Sequence, residues 1–301
     1  MNDFRNKVAV ITGAAGGLGR EFANVGAALG MKLVLADIQP DALEKTEQEL
    51  KSIGADVQVV LCDVRNGEQV QLLAETTMTA HGAIHLLFNN AGVGMGGLIW
   101  EHTQADWEWI LDVNLWGVIH GMRIFTPLML ECAKNDAGYA GHIVNTASMA
   151  GLVNVPAMGA YNVSKHAVVS LTESLYHDLQ LVNAPVGASV LCPYYVPTGI
   201  SHSERNRPDE MPGQSTPTAS QRMARELIAK AVAAGKIPAA QVAAQTFDAI
   251  REGMFYIYTH PAALAGVQMR FEDILLRRNP VDPYRDAPQI REMMLRRLKE
   301  D

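Results

Sequence analysis

The sequence contains few cysteines, no long apolar run and no excess of positive charge, and each shortage excludes a class of protein. The three cysteines, Cys62, Cys132 and Cys192, are far apart and lack metal-ligand spacing, so buried structural thiols are expected and a metal site is not. No apolar run reaches the roughly 18 residues that a membrane helix needs, and the polar start of the chain does not resemble a signal peptide. The sequence therefore predicts a cytoplasmic protein without a membrane segment.

The overall charge and the chain length narrow the remaining classes. A net charge of −7 gives no reason to expect binding to nucleic acid or to an anionic membrane. With 301 residues, 48% hydrophobic and 19% charged, the chain has the composition of a globular protein and the length for one large α/β domain or two small ones. Because internal repeats, low-complexity tracts and convincing linkers are absent, a single domain over residues 1–301 is the simpler prediction.

The first feature that is present is an apolar strand followed by a glycine-rich turn. Residues 7–12 form a short β-branched run, Gly13, Gly17 and Gly19 follow it, and an alanine-rich helical stretch comes next. In such a turn, glycines let the backbone approach a pyrophosphate, and the helix N-terminus offers unpaired N–H groups with positive partial charge. A tight turn without a ligand is the alternative, but the position at the first β–α junction favours a dinucleotide site.

An acidic residue ends the second predicted strand, residues 31–37. Asp37 follows Gly19 by 18 residues, where a carboxylate accepts hydrogen bonds from the adenosine ribose and repels a 2′-phosphate. Ile38 comes next, and no arginine or lysine stands beside it to neutralise such a phosphate. The sequence therefore favours NAD over NADP, with an ordinary turn from Asp37 into Pro40 as the alternative.

Helices and strands continue to alternate along the first half of the chain. Two helical patterns separate further apolar strands at 57–64 and 84–89. Alternation of this kind is typical of a parallel sheet covered on both faces, with ligands at the carboxyl ends of the strands. Asp63, Asn90 and Gly92 are expected at that edge, near the adenine and the ribose.

One polar residue interrupts the apolar pattern of the long helix predicted at 105–133. Asn114 lies among apolar neighbours in that stretch, which also carries Trp107, Trp109 and Trp116. Two interpretations stay open: the Asn114 side chain bonds locally, or the helix is distorted there so that a backbone carbonyl faces the site. We expect the tryptophans to pack in the core or between subunits.

The stretch with the most chemical information joins a buried strand at 141–148 to a helix. Ser148 ends the strand, and Tyr161 and Lys165 are four residues apart on the helix, which places them on one face with Cβ atoms roughly 5–6 Å apart. A free tyrosine has a pKa of about 10, and a close cation lowers it. A tyrosine and a lysine at this spacing also occur by chance, so the surrounding motifs decide what the pair means. Together the three side chains predict a proton-transfer site for a carbonyl or carbinol oxygen.

The second half of the chain contains one long segment without a regular pattern. After a predicted strand at 186–193, residues 199–220 are rich in proline and polar side chains, which is typical of a functional lid or of disorder. The position beside the catalytic edge favours a lid. The remaining predicted elements are helices at 221–234 and 238–253, a strand at 254–259, and a helical C-terminal extension over 261–301.

Taken together, these residues resemble the short-chain dehydrogenase/reductase family of compact oxidoreductases. The resemblance runs from about residue 5 to residue 198 and joins the glycine-rich turn, the loop at 89–92, Asn114, Ser148 and the Tyr161/Lys165 pair in the family's order. It implies a doubly wound Rossmann-type α/β fold with a parallel sheet of about seven strands, and a homodimer or homotetramer.

The resemblance also implies roles for individual residues. Tyr161 would be the acid/base, Ser148 would orient the substrate oxygen, and Lys165 would bind the nicotinamide ribose and lower the Tyr161 pKa. Asn114 would hold a water in the proton relay. The residues implied for the NAD site are Gly13, Gly17, Leu18, Gly19, Asp37, Asp63, Val64, Asn90, Tyr161, Lys165, Val196 and Thr198.

Two features depart from the family pattern. Tyr194 and Tyr195 follow a proline where the family usually has glycine, and the chain continues some 40 residues past the last predicted strand. The two tyrosines, together with Met95, Met149 and Met158, either wall an apolar pocket or lie in the core.

The predicted function is that of an NAD-dependent alcohol dehydrogenase or ketone reductase for a bulky, hydrophobic or aromatic substrate. An NADP-dependent carbonyl reductase and a non-catalytic dinucleotide-sensing protein are the alternatives, and the intact set of four catalytic residues argues against the sensor. We expect Phe271, Ile274 and Leu275 of the extension to share a helical face that packs beside the lid or against a partner subunit.

Overall fold

The computed structural model describes residues 1–299 and contains one seven-stranded parallel sheet. The strands are β1 (Val8–Thr12), β2 (Lys32–Asp37), β3 (Asp56–Leu61), β4 (Leu86–Asn89), β5 (Gly141–Thr146), β6 (Val186–Cys192) and β7 (Tyr256–Tyr258). Strands β1, β4 and β5 are buried at every residue, as expected for apolar runs that are covered on both faces. The predicted α/β architecture is confirmed.

The strand order places a crevice at the middle of the sheet. The order is β3-β2-β1-β4-β5-β6-β7, so the chain winds outward in one direction from β1 and then in the other direction from β4. Loops that follow β1 and β4 leave the sheet toward opposite faces at such a switch point, and the gap between them is where ligands bind in open α/β sheets.

Helices cover both faces of the sheet. They are α1 (Gly17–Ala28), α2 (Pro40–Ser52), α3 (Gly67–His81), α4 (Gln104–Leu111), α5 (Gly117–Asn135), α6 (Gly159–Leu181), α7 (Ala219–Ala233), α8 (Ala239–Glu252), α9 (Leu264–Leu275) and α10 (Pro288–Arg297). One core layer joins the sheet to α1 and α8 through Phe22, Phe88 and Phe247. The other joins it to α3, α5 and α6, with Phe125 and Leu179 among its members.

Side-chain caps fix where several helices begin. The Asn66 side chain accepts the first free N–H groups of α3. Thr103 and Asp106 form a reciprocal capping box at the start of α4, and Thr218 and Gln221 form another at the start of α7.

The long helix predicted at 105–133 is divided into three parts. Between α4 and α5, residues Asp112–Trp116 form a single π-helical turn. Asn114 lies in this turn and is fully buried, so the distortion coincides with the polar residue that interrupts the apolar pattern. Trp109 packs in the core, whereas Trp116 is about half exposed.

The segment 199–220 is more ordered than its composition suggests. It opens with a 3₁₀ helix, Gly199–Asn206, kinked at His202, and becomes irregular before α7. Ser203 stabilises this 3₁₀ helix. Its buried hydroxyl accepts the Gly94 N–H and donates to the Ile200 carbonyl, so it ties the helix to the loop after β4. The prediction that this segment contains no regular element was therefore wrong for its first part.

The C-terminal helices lie against the rest of the chain and exclude one of the two alternatives for their apolar face, while packing against a partner subunit stays a prediction. Leu264 and Val267 of α9 pack on the cluster beneath β6, and α10 contacts α7. The face formed by Phe271, Ile274 and Leu275 is 49–77% exposed, so it does not pack beside the segment 199–220. No helix within residues 1–299 has the length and apolar character to cross a membrane. All three cysteines are buried with free thiols, as predicted.

Candidate active site

A cleft of about 490 Å³ lies along the carboxyl ends of the central strands. It extends from the glycine-rich turn and Asp37 at one end to Tyr161 at the other. Eleven of the twelve predicted cofactor residues line it, namely Gly13, Gly17, Leu18, Asp37, Asp63, Val64, Asn90, Tyr161, Lys165, Val196 and Thr198. The fold therefore brings residues from five strand ends into one cavity.

The glycine-rich turn after β1 is shaped for close backbone approach. Gly13 and Gly17 adopt positive φ values of 67° and 54°, which side-chain-bearing residues rarely adopt. A Cβ atom at Gly13 would lie 2.8 Å from the Ala91 Cα atom, so the turn also needs glycine to pass the β4 loop. Gly19 does not line the cleft; a Cβ there would collide with the Gly13 carbonyl, so this glycine lets α1 pack against the turn.

Asp37 connects the end of β2 to this turn. Its carboxylate accepts the Ala15 N–H at 2.9 Å and the Gln39 N–H at 3.0 Å. Burial raises the Asp37 pKa, and these backbone N–H groups and the Arg205 guanidinium oppose that rise. The glycine-rich turn, the Asp37 carboxylate and the cleft between them fit a pyrophosphate and an adenosine ribose.

The next two strand ends close the adenosine side of the cleft. Asp63, after β3, forms an ion pair with Arg65 at 2.6 Å. Asn90, after β4, donates from its side chain to the Thr12 carbonyl at 3.0 Å and accepts from the Thr146 hydroxyl at 3.3 Å. These bonds hold the ends of β1, β4 and β5 together beneath the cleft.

Ser148, Tyr161 and Lys165 meet at the other end of the cleft. The Ser148 hydroxyl acts on the Tyr161 phenol and opposes the rise of its pKa, and the Lys165 Nζ atom donates to the Thr146 carbonyl at 3.0 Å. The Lys165 Nζ atom lies 5.7 Å from the centroid of the Tyr161 ring. All three side chains line the cleft, as expected from their positions on β5 and α6.

Burial controls the protonation of the pair. It raises the pKa of Tyr161 to about 12, and the Ser148 hydroxyl opposes that rise. It also lowers the pKa of Lys165 to about 8. Low-polarity surroundings penalise the charged form of both groups, so burial shifts each toward its neutral form. That Lys165 lowers the Tyr161 pKa stays a prediction.

The Asn114 side chain is hydrogen-bonded to the loop after β4, next to the cleft. Its side-chain oxygen accepts the Val93 N–H at 2.8 Å, and its side-chain nitrogen donates to the Val93 carbonyl at 3.0 Å and to the Ser164 hydroxyl at 3.1 Å. A Cβ atom at Gly92 would lie 3.3 Å from the Asn114 side-chain oxygen and 3.4 Å from the Lys165 Nζ atom. Asn114 and Lys165 therefore both lie beside Gly92, and Asn114 does not line the cleft. The Asn114 side chain bonds to the backbone, as one interpretation expects, and it lies in a distorted helical turn.

The loop after β6 supplies apolar walls next to Tyr161. Tyr194 and Tyr195 line the cleft with their ring centroids 4.5 Å apart. Met149 and Met158 also line it, whereas Met95 is buried in a core cluster with Trp109. The pocket interpretation therefore holds for four of these five residues and the core interpretation for Met95.

The sequence analysis did not predict several residues that line the cleft. Gln39 and Arg205 line its adenosine end, and Ile228 and Val232 of α7 line its apolar end. No spacing or motif marks these positions, because they reach the cleft through contacts between segments that are far apart in the chain. The proline-rich segment next to the sheet was the only available signal for Arg205.

Comparisons with known proteins identify the family of the chain. A family model described as short chain dehydrogenase matches residues 7–209. A dehydrogenase/reductase of CLA biosynthesis from Lactiplantibacillus plantarum is 39% identical over 263 residues, which are 87% of this chain and 90% of that protein. A C alpha-dehydrogenase from Sphingobium is 30% identical over 290 residues, or 96% of this chain and 91% of that protein.

A solved structure is similar over nearly the whole chain. It is a short chain dehydrogenase/reductase from Burkholderia phymatum in complex with NAD, 55% identical, with a TM-score of 0.91 and coverage of 94% of this chain and 99% of that one. The chain belongs to the short-chain dehydrogenase/reductase family, and it is an oxidoreductase of that family.

Proposed function

We propose that this protein is an NAD-dependent dehydrogenase or reductase that interconverts a hydrophobic secondary alcohol and its ketone. The observation that carries the proposal is the single cleft that joins the glycine-rich turn and Asp37 to Ser148, Tyr161 and Lys165. A dinucleotide along this cleft would place its reactive end beside a proton donor. When bound, the nicotinamide would accept or donate the hydride.

Tyr161 is the proposed acid/base. In ketone reduction its phenol donates a proton to the carbonyl oxygen, and in alcohol oxidation its phenolate accepts the hydroxyl proton. Ser148, whose hydroxyl acts on the Tyr161 phenol, orients the same oxygen. Because burial favours the neutral phenol, the proton stays on Tyr161 until a substrate oxygen or a relay group takes it.

Lys165 and Asn114 are proposed to support this transfer. The Lys165 Nζ atom lines the cleft and keeps donor capacity beyond its bond to the Thr146 carbonyl, so it suits a ribose hydroxyl. Asn114, next to Lys165 and tied to Val93, positions the end of the proton relay.

The choice of NAD is proposed from Asp37. Its buried carboxylate faces the adenosine end of the cleft, where it would accept ribose hydroxyl donors and repel a 2′-phosphate. The complex of the Burkholderia relative with NAD is consistent with this choice. The alternative of an NADP-dependent reductase has less support. The positive charge of Arg205 nevertheless offsets part of the negative charge of Asp37.

The substrate is proposed from the walls of the cleft beyond Tyr161. Met149, Val153, Met158, Tyr195 and Ile228 give this end an apolar surface. The charged residues that line the cleft, within residues 1–299, are Asp37, Asp63, Arg65, Lys165 and Arg205, all of them on the proposed cofactor side. An uncharged, bulky alcohol or ketone therefore fits better than an anion, and burying its apolar surface supplies binding energy.

Two further features complete the proposal. We propose that the chain is a single domain, because β7 from the second half of the sequence pairs with β6 in the same sheet as β1. We also propose a homodimer or homotetramer, as in the implied family pattern. A purely dinucleotide-sensing role has less support, since such a role needs no proton donor at the end of the cleft.

A substrate screen tests the function. Purified protein is incubated with NAD and a series of secondary alcohols, and with NADH and the matching ketones, while the absorbance of the reduced nicotinamide is followed. We expect turnover with apolar or aryl substrates, and at least about tenfold lower kcat/KM for anionic analogues of the same size. Binding of NADH without turnover of any substrate would favour the sensor.

A further inference from the structure

Arg205 lies on the segment that borders the adenosine end of the cleft. It is near the end of the 3₁₀ helix Gly199–Asn206. Its Nη1 atom donates to the Gly199 carbonyl at 2.9 Å and to the His202 carbonyl at 2.7 Å. These two bonds turn the guanidinium back along its own helix and hold it in one place, which is unusual for an exposed arginine with many rotamers.

From this position the side chain reaches across the cleft. The Arg205 Nε atom is 3.5 Å from the Gln39 side-chain oxygen, at the outer limit of a hydrogen bond. Gln39 directly follows the Asp37–Ile38 turn, and Arg205, Asp37 and Gln39 all line the same cavity. The Arg205 charge also acts on Asp37, lowering the pKa of its carboxyl against the effect of burial.

The remaining donors of Arg205 are available to a ligand. Within residues 1–299, the Arg205 Nη2 atom makes no hydrogen bond to the protein, while Nε and Nη1 are engaged as described. A guanidinium in this place suits ribose hydroxyl or pyrophosphate oxygens, since charge-assisted hydrogen bonds to such acceptors are stronger than neutral ones.

We propose that Arg205 is a cofactor-binding residue that, together with Gln39, closes the cleft over the adenosine half of the dinucleotide. The inference rests on the proposed function, since it assumes that the cleft holds a nicotinamide dinucleotide. It assigns a binding role to the 3₁₀ helix, which lies outside the glycine-rich turn and the strand ends. Binding of the adenosine half and closure of the segment at residues 199–206 then favour each other.

Binding measurements with two ligands test this role. NADH fluorescence and calorimetry with ADP-ribose report the whole cofactor and its adenosine half, without any turnover. Arg205→Ala and Arg205→Met remove the guanidinium, and Gln39→Ala removes its partner across the cleft. Arg225→Ala is the matched control: Arg225 is exposed, pairs with Glu204 of the same helix at 3.3 Å and does not line the cleft.

We expect both Arg205 variants to raise the Kd of NADH and of ADP-ribose at least about fivefold, as loss of a partly exposed charge-assisted bond implies. Arg225→Ala should leave both Kd values within about twofold of the wild-type values. The double variant Gln39→Ala/Arg205→Ala should bind the two ligands no more weakly than Arg205→Ala alone. Thermal melting of each variant checks that the fold is intact.

The possible failures are distinguishable. If the wild-type protein binds both ligands and the Arg205 variants bind them equally well, the inference is wrong and the proposed function stands. Equal weakening by Arg205→Ala and Arg225→Ala would also overturn it, since net charge alone would then be responsible. If the wild-type protein binds neither ligand, the proposed function and this inference are both wrong.

Discussion

At the residue scale, the properties of the site arise from burial as much as from spacing. Tyr161 and Lys165 share a helix face, and both are enclosed, so each is shifted toward its neutral form. The Ser148 hydroxyl opposes this shift for Tyr161. The proposed proton donor is therefore a neutral phenol in a partly apolar cleft.

Removal of the Tyr161 hydroxyl is the direct test of this role. Tyr161→Phe should lower kcat at least about hundredfold, because it deletes the proton donor, and should leave the Kd of NADH within about twofold. Tyr195→Phe is the control, since it removes a neighbouring phenol of the same cleft, and it should retain most of the activity. A Tyr161→Phe enzyme with more than about a tenth of the wild-type kcat would exclude Tyr161 as the acid/base.

The proposed cofactor preference depends on the Asp37 carboxylate. We expect kcat/KM to favour NAD over NADP at least about tenfold, or roughly 1.4 kcal/mol, because the Asp37 carboxylate repels a 2′-phosphate. Asp37→Ser should reduce that ratio. Asp41→Asn, at an exposed carboxylate outside the cleft, should leave it unchanged. Equal kinetics with the two cofactors in the wild-type enzyme would show that Asp37 does not select between them.

At the scale of elements, the segment 199–220 is anchored at its middle and at its end. Arg207 is nearly buried, pairs with Asp106 at 2.7 Å and lies over the Trp109 ring at 4.9 Å. At the other end, the Ser220 hydroxyl donates to the Glu101 carboxylate at 2.6 Å and accepts the Leu98 N–H. Closure of this segment over a substrate must therefore take place between fixed points.

The Arg207 anchor makes a specific stability prediction. Arg207→Ala leaves Asp106 buried without its charged partner, and such a loss costs roughly 3 kcal/mol of unfolding free energy. Arg225→Ala breaks an exposed pair between α7 and Glu204 of the same segment and should cost less than about 0.5 kcal/mol. Urea unfolding of both variants measures the difference. A cost for Arg207→Ala as small as that of the control would show that the pair does not hold the segment in place.

The lid role is tested by hydrogen exchange. We expect added protection in 199–220 when NAD and an unreactive substrate analogue are bound together, beyond that seen with NAD alone, because closure excludes water from the transfer. The anchor at Arg207 should be protected in every state. If the analogue adds no protection anywhere in 199–220, the segment is a passive surface loop.

At the scale of the whole molecule, the parallel sheet buries polar groups that respond to acid. His142 on β5 is enclosed beneath the sheet and hydrogen-bonded to Ser189 on β6 at 2.7 Å. Burial lowers the pKa of His142 to about 4, from an ordinary value of 6.5. His85, just before β4, is also lowered to about 4 by burial.

These histidines predict how stability changes with pH. Between pH 6.5 and about 4, the unfolded chain binds protons that the fold excludes, so the unfolding free energy falls as the pH is lowered through that range and is retained above it. Urea unfolding at several pH values measures the slope. His142→Gln should flatten it, and the exposed His177→Gln should not. A slope that His142→Gln leaves unchanged would assign the acid sensitivity to other groups.

The sequence by itself determined the features that depend on local order. The alternation of apolar strands and helices predicted the sheet, and the glycines, Asp37 and the Tyr161/Lys165 spacing predicted most of the cleft. Such signals are readable because periodicity and short spacings fix which residues share a strand end or a helix face. The π-helical turn was anticipated only as one of two interpretations of Asn114.

Only the tertiary structure decided the features that depend on contacts between distant segments. It placed Arg205 beside Gln39, tied Arg207 to Asp106 and joined Asn114 to Val93. It also enclosed Tyr161, and this burial raises the pKa of its phenol, because the degree of burial is a property of the packed molecule. Spacing along the chain carries no record of these contacts, since each one forms only when separate elements pack around the sheet.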